Sequence, residues 1–153
     1  MNVQDKFKFE QIIRGETKVV VFKGIIDEDT DFTPISKLGD SLTFNFKNVE
    51  SINSLGVRAW VNFIKLMKDK EISFEECPPI IVRQMNMIPS FTGNAKVHSV
   101  YVPYVCDNCD SESLVLVKND QFSTVSETAR CENCKEGEME FDGTPEQYFA
   151  FNK

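Results

Sequence analysis

The residue pattern predicts an α/β fold: a mixed β-sheet with helices over residues 1 to 103, then a small β-hairpin unit with a helical tail over residues 104 to 153. Three observations carry this reading. Short runs of alternating apolar and polar residues mark strands. One stretch with apolar residues every three or four positions marks a long helix between them. Two Cys-x-x-Cys pairs in the last third mark a segment too small to be held by its own apolar core. With 153 residues, 41 % of them hydrophobic and 13 of them phenylalanine, the chain can bury one ordinary core plus an appendage.

Phe7, Phe9 and Gln11 alternate with Lys8, Glu10 and Ile12 in a first strand. Thr17 to Lys23 forms a second after the turn at Gly15-Glu16, closing a hairpin. The acidic run Asp27-Glu28-Asp29-Thr30-Asp31 opens a short helix, with Asp29 or Thr30 as its cap. Leu42, Phe44 and Phe46 alternate with polar residues in a third strand ending near Val49. From Ser54 to Asp69, Val57, Trp60, Val61, Ile64 and Met67 form an apolar stripe opposite Arg58, Asn62 and Lys65, as an amphipathic helix requires. Ile72 to Cys77 is a fourth strand, and Pro79 starts a helix that Pro89 stops after Ile88. Val97 to Val105 is a fifth strand that runs into the first cysteine pair. Helices between strands imply parallel pairing with crossovers.

The pairs are Cys106-Asp107-Asn108-Cys109 and Cys131-Glu132-Asn133-Cys134, separated by residues 110 to 130. Each pair can present two sulfurs to one metal ion. Four thiolates at this spacing suit one structural Zn2+ in a closed tetrahedral site, the arrangement of a zinc ribbon. Two disulfides would need an oxidising compartment, whereas the N-terminus shows no apolar leader, so reduced thiols in the cytoplasm are expected. A redox role would involve one pair, not two matched ones. Within the unit, Leu114 to Val117 and Gln121 to Val125 are expected to form a hairpin around Lys118-Asn119-Asp120, with its own core apart from the first domain's. The aromatic tail, Pro145 to Phe151, is expected to dock as a helix. Cys77 reads as a small buried apolar residue, and His98 as a hydrogen-bonded strand histidine.

The net charge of −7 lies wholly in the last third, because residues 1 to 103 carry 13 acidic and 13 basic side chains and residues 104 to 153 carry 11 and 4. A ribbon that binds nucleic acid needs a basic face to neutralise phosphates, so no nucleic acid is expected as a partner. No apolar run approaches the roughly 20 residues that span a bilayer, so no membrane partner is expected either. Enzyme chemistry lacks a nucleophile with a neighbouring base, a glycine-rich phosphate loop, or an open metal site.

The turns Gly24-Ile25-Ile26-Asp27 and Asn53-Ser54-Leu55-Gly56, each between a strand and a helix, resemble the signature of the STAS domain family, the anti-sigma-factor antagonists and their relatives. The resemblance covers roughly residues 7 to 103, and Asn53 departs from the aspartate usual in that signature. It implies a STAS-like mixed sheet and a non-enzymatic regulatory role in bacteria. It further implies that Ser54 is the phosphorylation site of an anti-sigma factor that is also a serine kinase. Partner binding would then run through Asn53, Ser54, Leu55 and Arg58, flanked by Met85, Met87 and Phe91. Asn53 and Ser54 are both also good helix caps, with Ser54 expected to serve as one. Two other roles are consistent with the chain: a small-molecule or nucleotide sensor binding near the same helix end, and an adaptor that binds protein through its ribbon.

Overall fold

A computed structural model describes residues 6–152 as a mixed α/β fold with two sheets. The first sheet has strands β1 (Lys8–Arg14), β2 (Thr17–Ile26), β3 (Ser41–Ile52), β4 (Glu71–Glu75) and β5 (Lys96–Val97), in that spatial order. β1 is antiparallel to β2, and the remaining pairs are parallel. Parallel neighbours need crossovers, supplied by α1 (Thr33–Ser36), α2 (Ser54–Leu66) and α3 (Pro79–Met87).

Alternation along the strands turns Val20 and Phe22, Leu42, Phe44 and Phe46, and Ile72 and Phe74 into the core. There Trp60 of α2 lies with its ring 5.3 to 5.9 Å from those of seven phenylalanines, residues 22, 32, 44, 46, 63, 74 and 91. Its indole N–H, which burial would otherwise orphan, donates to the Phe91 carbonyl at 2.8 Å. Of the stripe on α2, Val57, Trp60, Ile64 and Met67 are buried, joined by Phe63, while Val61 is half-buried.

Neither Asp29 nor Thr30 caps a helix, although Asp31 at the end of the acidic run accepts from the Thr33 N–H, the first of α1, at 2.9 Å. The Asp27 N–H donates to the Thr30 hydroxyl (3.0 Å) and the Asp29 N–H to the Asp27 carboxylate (3.0 Å), so the acids fold into a local turn and α1 starts later, at Thr33. Short polar side chains that bond their own backbone stabilise such turns at the expense of helix.

The expected fifth strand divides at His98. Lys96–Val97 completes the first sheet, and β6 (Ser99–Cys106) begins the second, which also holds β7 (Glu112–Lys118), β8 (Thr128–Arg130) and β9 (Glu138–Phe141) in the order β7-β6-β9-β8, all antiparallel. Position 103/104 therefore falls inside β6. The hairpin expected around residues 118 to 120 is replaced by two others: β6 returns as β7 through the first cysteine pair, and β8 returns as β9 through the second. Residues 119–124 instead form a 3-10 turn that buries Phe122, stacked on Phe149 with centroids 4.9 Å apart. The tail docks as α4 (Pro145–Tyr148) and a further 3-10 turn, tied to α3 because Asn86 donates to the Tyr148 carbonyl (2.9 Å) and accepts from the Phe151 N–H (2.8 Å).

The two cores are not separate as expected. One contiguous buried cluster runs from Phe22 and Trp60 through Val100 and Val102 of β6 to Cys106, Met139 and Phe141. The cause is the missing linker: β6 leaves the first sheet one residue after β5, and its Ser99 carbonyl accepts from the Cys77 N–H at 3.2 Å.

Candidate metal centre

The two hairpins of the second sheet end in matching turns. In each, the residue after the second cysteine donates its N–H to the carbonyl of the first, Asp110 to Cys106 at 3.2 Å and Lys135 to Cys131 at 3.1 Å. Those same residues take left-handed backbone, with φ of 59° and 60°. A chain reversed this tightly aims both sulfurs of a pair the same way. Because β6 and β9 are neighbours, both turns lie at one end of the sheet.

All four sulfurs, of Cys106, Cys109, Cys131 and Cys134, lie within 4.8 Å of one another. Across the two turns, Cys106 to Cys134 and Cys109 to Cys131 are each 3.7 Å. A regular tetrahedron with metal–sulfur bonds of about 2.3 Å has edges of about 3.8 Å, so the donor set fits a tetrahedral thiophilic ion. No disulfide links them.

The surroundings favour the ionised sulfurs that a metal needs. The Asn108 and Cys109 N–H groups point at the Cys106 sulfur (both 3.4 Å), and the Gly137 N–H at Cys134 (3.3 Å). The side-chain amides reach across reciprocally: Asn108 to Cys134 and Asn133 to Cys109, each 3.6 Å. The Ser111 hydroxyl lies 3.1 Å from the Cys109 sulfur and 3.6 Å from that of Cys131. Ser111, first through its side chain and then its N–H, together with Asn133 draws the Cys109 thiol down to about 6. The Cys134 N–H and the Ser111 hydroxyl also lower Cys131. The N–H of Cys109 pulls on Cys106 in the same sense, but burial and hydrogen bonds to the Cys131 and Cys109 sulfurs lift its thiol to about 11. Four close sulfurs cannot all ionise without a cation among them.

Ser111, Gly137 and the two asparagines were missed in the sequence, although the shared Asn in the third position of each pair was a visible signal. A Cβ on Gly137 would stand 2.5 Å from the Cys106 sulfur and 2.6 Å from the Asn108 Cβ, so only glycine allows the second turn to close on the first. Cys77 lies outside the cluster; it is fully buried, and its thiol is pushed up by that burial. His98 is exposed and holds its place through its backbone, donating to the Phe74 carbonyl at 2.7 Å and accepting from the Asn119 N–H at 2.8 Å.

The other sequence-marked residues gather where α2 meets β2. Gly24 takes φ 95°, a conformation open to glycine, and the β2–β3 register slips beside it. Ile26 is thereby aligned with Ile52, and its carbonyl accepts from the Asn53 N–H at 3.2 Å. A Cβ on Gly56 would collide with that same Ile26 carbonyl, so Gly56 is what lets helix and strand approach. The cap is Asn53, not Ser54: the Asn53 side-chain oxygen accepts from the Gly56 N–H at 2.7 Å, while its amide donates to Glu28 at 3.0 Å. Asn53 has extended backbone and Ser54 is already helical, so Asn53 and not Ser54 stands at the capping position. Asn53, Ser54, Leu55 and Arg58 are all exposed. Of the flanking apolar residues, Met87 is exposed, whereas Met85 and Phe91 are buried in the core and form no surface.

No family model matches this chain, and no curated protein matches it. Among the described residues, no helix is long and apolar enough to cross a membrane.

Proposed function

We propose that this chain is a non-enzymatic regulatory module of the STAS-like kind, which binds a protein partner through the start of α2 and carries one structural zinc ion in its ribbon. It works in the bacterial cytoplasm, without nucleic acid or membrane as a partner. The observation that carries the reading is the division of labour at the turn: Asn53 supplies the cap, leaving Ser54 exposed in the first turn of α2. Phosphate there would meet free helix amides and a favourable dipole, and its charge of about −1.5 to −2 would alter a docking face that includes Leu55 and Arg58. The partner is an anti-sigma factor with serine kinase activity. The order of β1 to β5 with crossover helices supports the STAS-like assignment. For the ribbon, the tetrahedral spacing of the sulfurs and the hydrogen bonds to them support zinc, and a site closed by four thiolates supports a structural role.

One observation favours a second reading as a small-ligand sensor. A cavity of about 730 Å³ opens between α3 and the second sheet, lined by Arg83, Met87, Tyr104, Leu114 and Tyr148 among others. None of residues 53 to 58 lines it, so a ligand there would not sit at the helix start.

Two measurements test the main reading. Elemental analysis of protein purified without added metal is expected to return one zinc per chain; four free thiols without metal, or two mapped disulfides, overturn that part. Ser54→Asp is expected to lose a partner that Ser54→Ala keeps, as identified by affinity purification from the native cells. Because Asn53 holds the cap, Ser54→Ala is expected to melt like the parent, while Asn53→Ala costs about 0.5 to 2 kcal/mol. Equal partner binding by both Ser54 variants would falsify the switch.

A further inference from the structure

β7 is the outer strand of the second sheet and pairs with β6 alone among the described residues. On the other edge of β6, the Pro103 carbonyl accepts from the Asp142 N–H at 2.9 Å and the Tyr101 N–H donates to the Cys77 carbonyl at 2.8 Å. Peptide groups alternate in direction along a strand, so the residues opposite these two, Leu114 and Leu116, aim their own N–H and C=O groups away from β6. Glu112 and Lys118 share that outward phase. From Glu112 to Leu116 the free edge therefore offers a run of donors and acceptors unpaired among the described residues, while the Lys118 carbonyl is taken by the 3-10 turn that follows.

The side chains beside that edge are unusually apolar for a surface. Leu114 is 54 % exposed, and Val115 and Leu116 are 43 % exposed each, three consecutive residues on an unprotected strand. The charges stand at the two ends, Glu112 and Lys118. Reversed about Val115, the segment Glu112-Ser113-Leu114-Val115-Leu116-Val117-Lys118 complements itself. Glu112 meets Lys118 of the other strand, Leu114 meets Leu116, and Val115 meets its own copy. That register sets outward peptide groups against outward peptide groups, at the Glu112–Lys118 and Leu114–Leu116 pairs. Moving the register by one residue breaks the hydrogen-bond phase, and moving it by two breaks the charge pairing.

We propose that β7 pairs antiparallel with β7 of a second copy of this chain, about a two-fold axis through Val115, so that the two second sheets become one continuous sheet. The contact is isologous, as a closed dimer needs. It is also narrow, one strand against one, and so yields a concentration-dependent dimer of modest affinity. The inference stands apart from the role of Ser54.

Sedimentation velocity over a concentration series, on the full metal-loaded chain, tests it. The parent is expected to move from monomer to dimer. Glu112→Lys alone, or Lys118→Glu alone, is expected to raise the dissociation constant by about tenfold or more, since two attractive cross-strand pairs become two repulsive ones. An equimolar mixture of the two single variants is expected to recover the parent's dimer, because each charge then faces its opposite. That recovery also shows that both variants remain folded. A parent chain that stays monomeric at millimolar concentration overturns the proposal, including one that accepts a foreign extended peptide on β7 instead. A dimer that ignores both charge changes, or variants that do not recover on mixing, overturns it too.

Discussion

Gly137 sets the distance between the two cysteine turns, because the space a Cβ there would need is filled by the Cys106 sulfur and the Asn108 Cβ. Gly137→Ala is expected to weaken metal affinity by about 10- to 100-fold, the usual effect of disturbing the groups that hold ligands in place. Competition with a chromophoric chelator measures it, and unchanged affinity would show that the turn relaxes freely. Lys135 bears a different constraint: its φ of 60° is left-handed, where a Cβ costs about 1 to 2 kcal/mol. Lys135→Gly relieves that strain and is expected to stabilise the chain by up to about 1 kcal/mol in thermal melts, glycine's greater chain entropy offsetting part of the gain. Among single residues, the four cysteines were fully legible, since thiol pairs at this spacing have few other uses. Gly24 and Gly56 were legible as special positions. The cap was not, because Asn53 and Ser54 are chemically equivalent as caps, and the choice between them depends on which residue the Ile26 carbonyl holds outside the helix.

At the level of elements, α2, α3 and β1 to β4 were readable because their apolar residues recur at one period. The stretch from Ser111 to Val125 was not. Leu114 to Val117 looks as ready to pair with the residues after it as with those before it, and only tertiary context chooses β6. Phe122 shows why the later segment is not a strand: its ring is needed against Phe149, at 4.9 Å, in the seat that holds the C-terminal tail to α3. Phe149→Ala removes that stack and a buried side chain, and is expected to cost about 3 kcal/mol in chemical denaturation. A loss below about 1 kcal/mol would mean that Asn86, which bonds the Tyr148 carbonyl and the Phe151 N–H, seats the tail without help.

Across the whole molecule, local patterns predicted a larger sheet followed by a smaller one, but could not show that the two share a core. Nothing in the sequence marks His98 as the place where one continuous apolar run changes sheets; the change is visible only in the pairing of Val97 with Phe74 and of Ser99 with Lys118. Its consequence is mechanical coupling. Val100 and Val102, buried in the common cluster, lie on the strand that ends at Cys106, so a second sheet that comes apart withdraws part of the wall behind α3. Trp60 is the chain's one tryptophan and is buried in the first half of that cluster, so its fluorescence reports on the half far from the cysteines. With Cys131→Ser, the site keeps three sulfurs and loses the closed set. The melting temperature is then expected to fall by roughly 6 to 12 °C, the shift that about 3 kcal/mol of metal stabilisation gives in a chain of this size. The Trp60 transition should move with it, because the two halves unfold together. Were Trp60 to melt at the parent's temperature while the signal of the second sheet is lost early, the halves would be independent domains, and the shared core would carry no cooperativity between them.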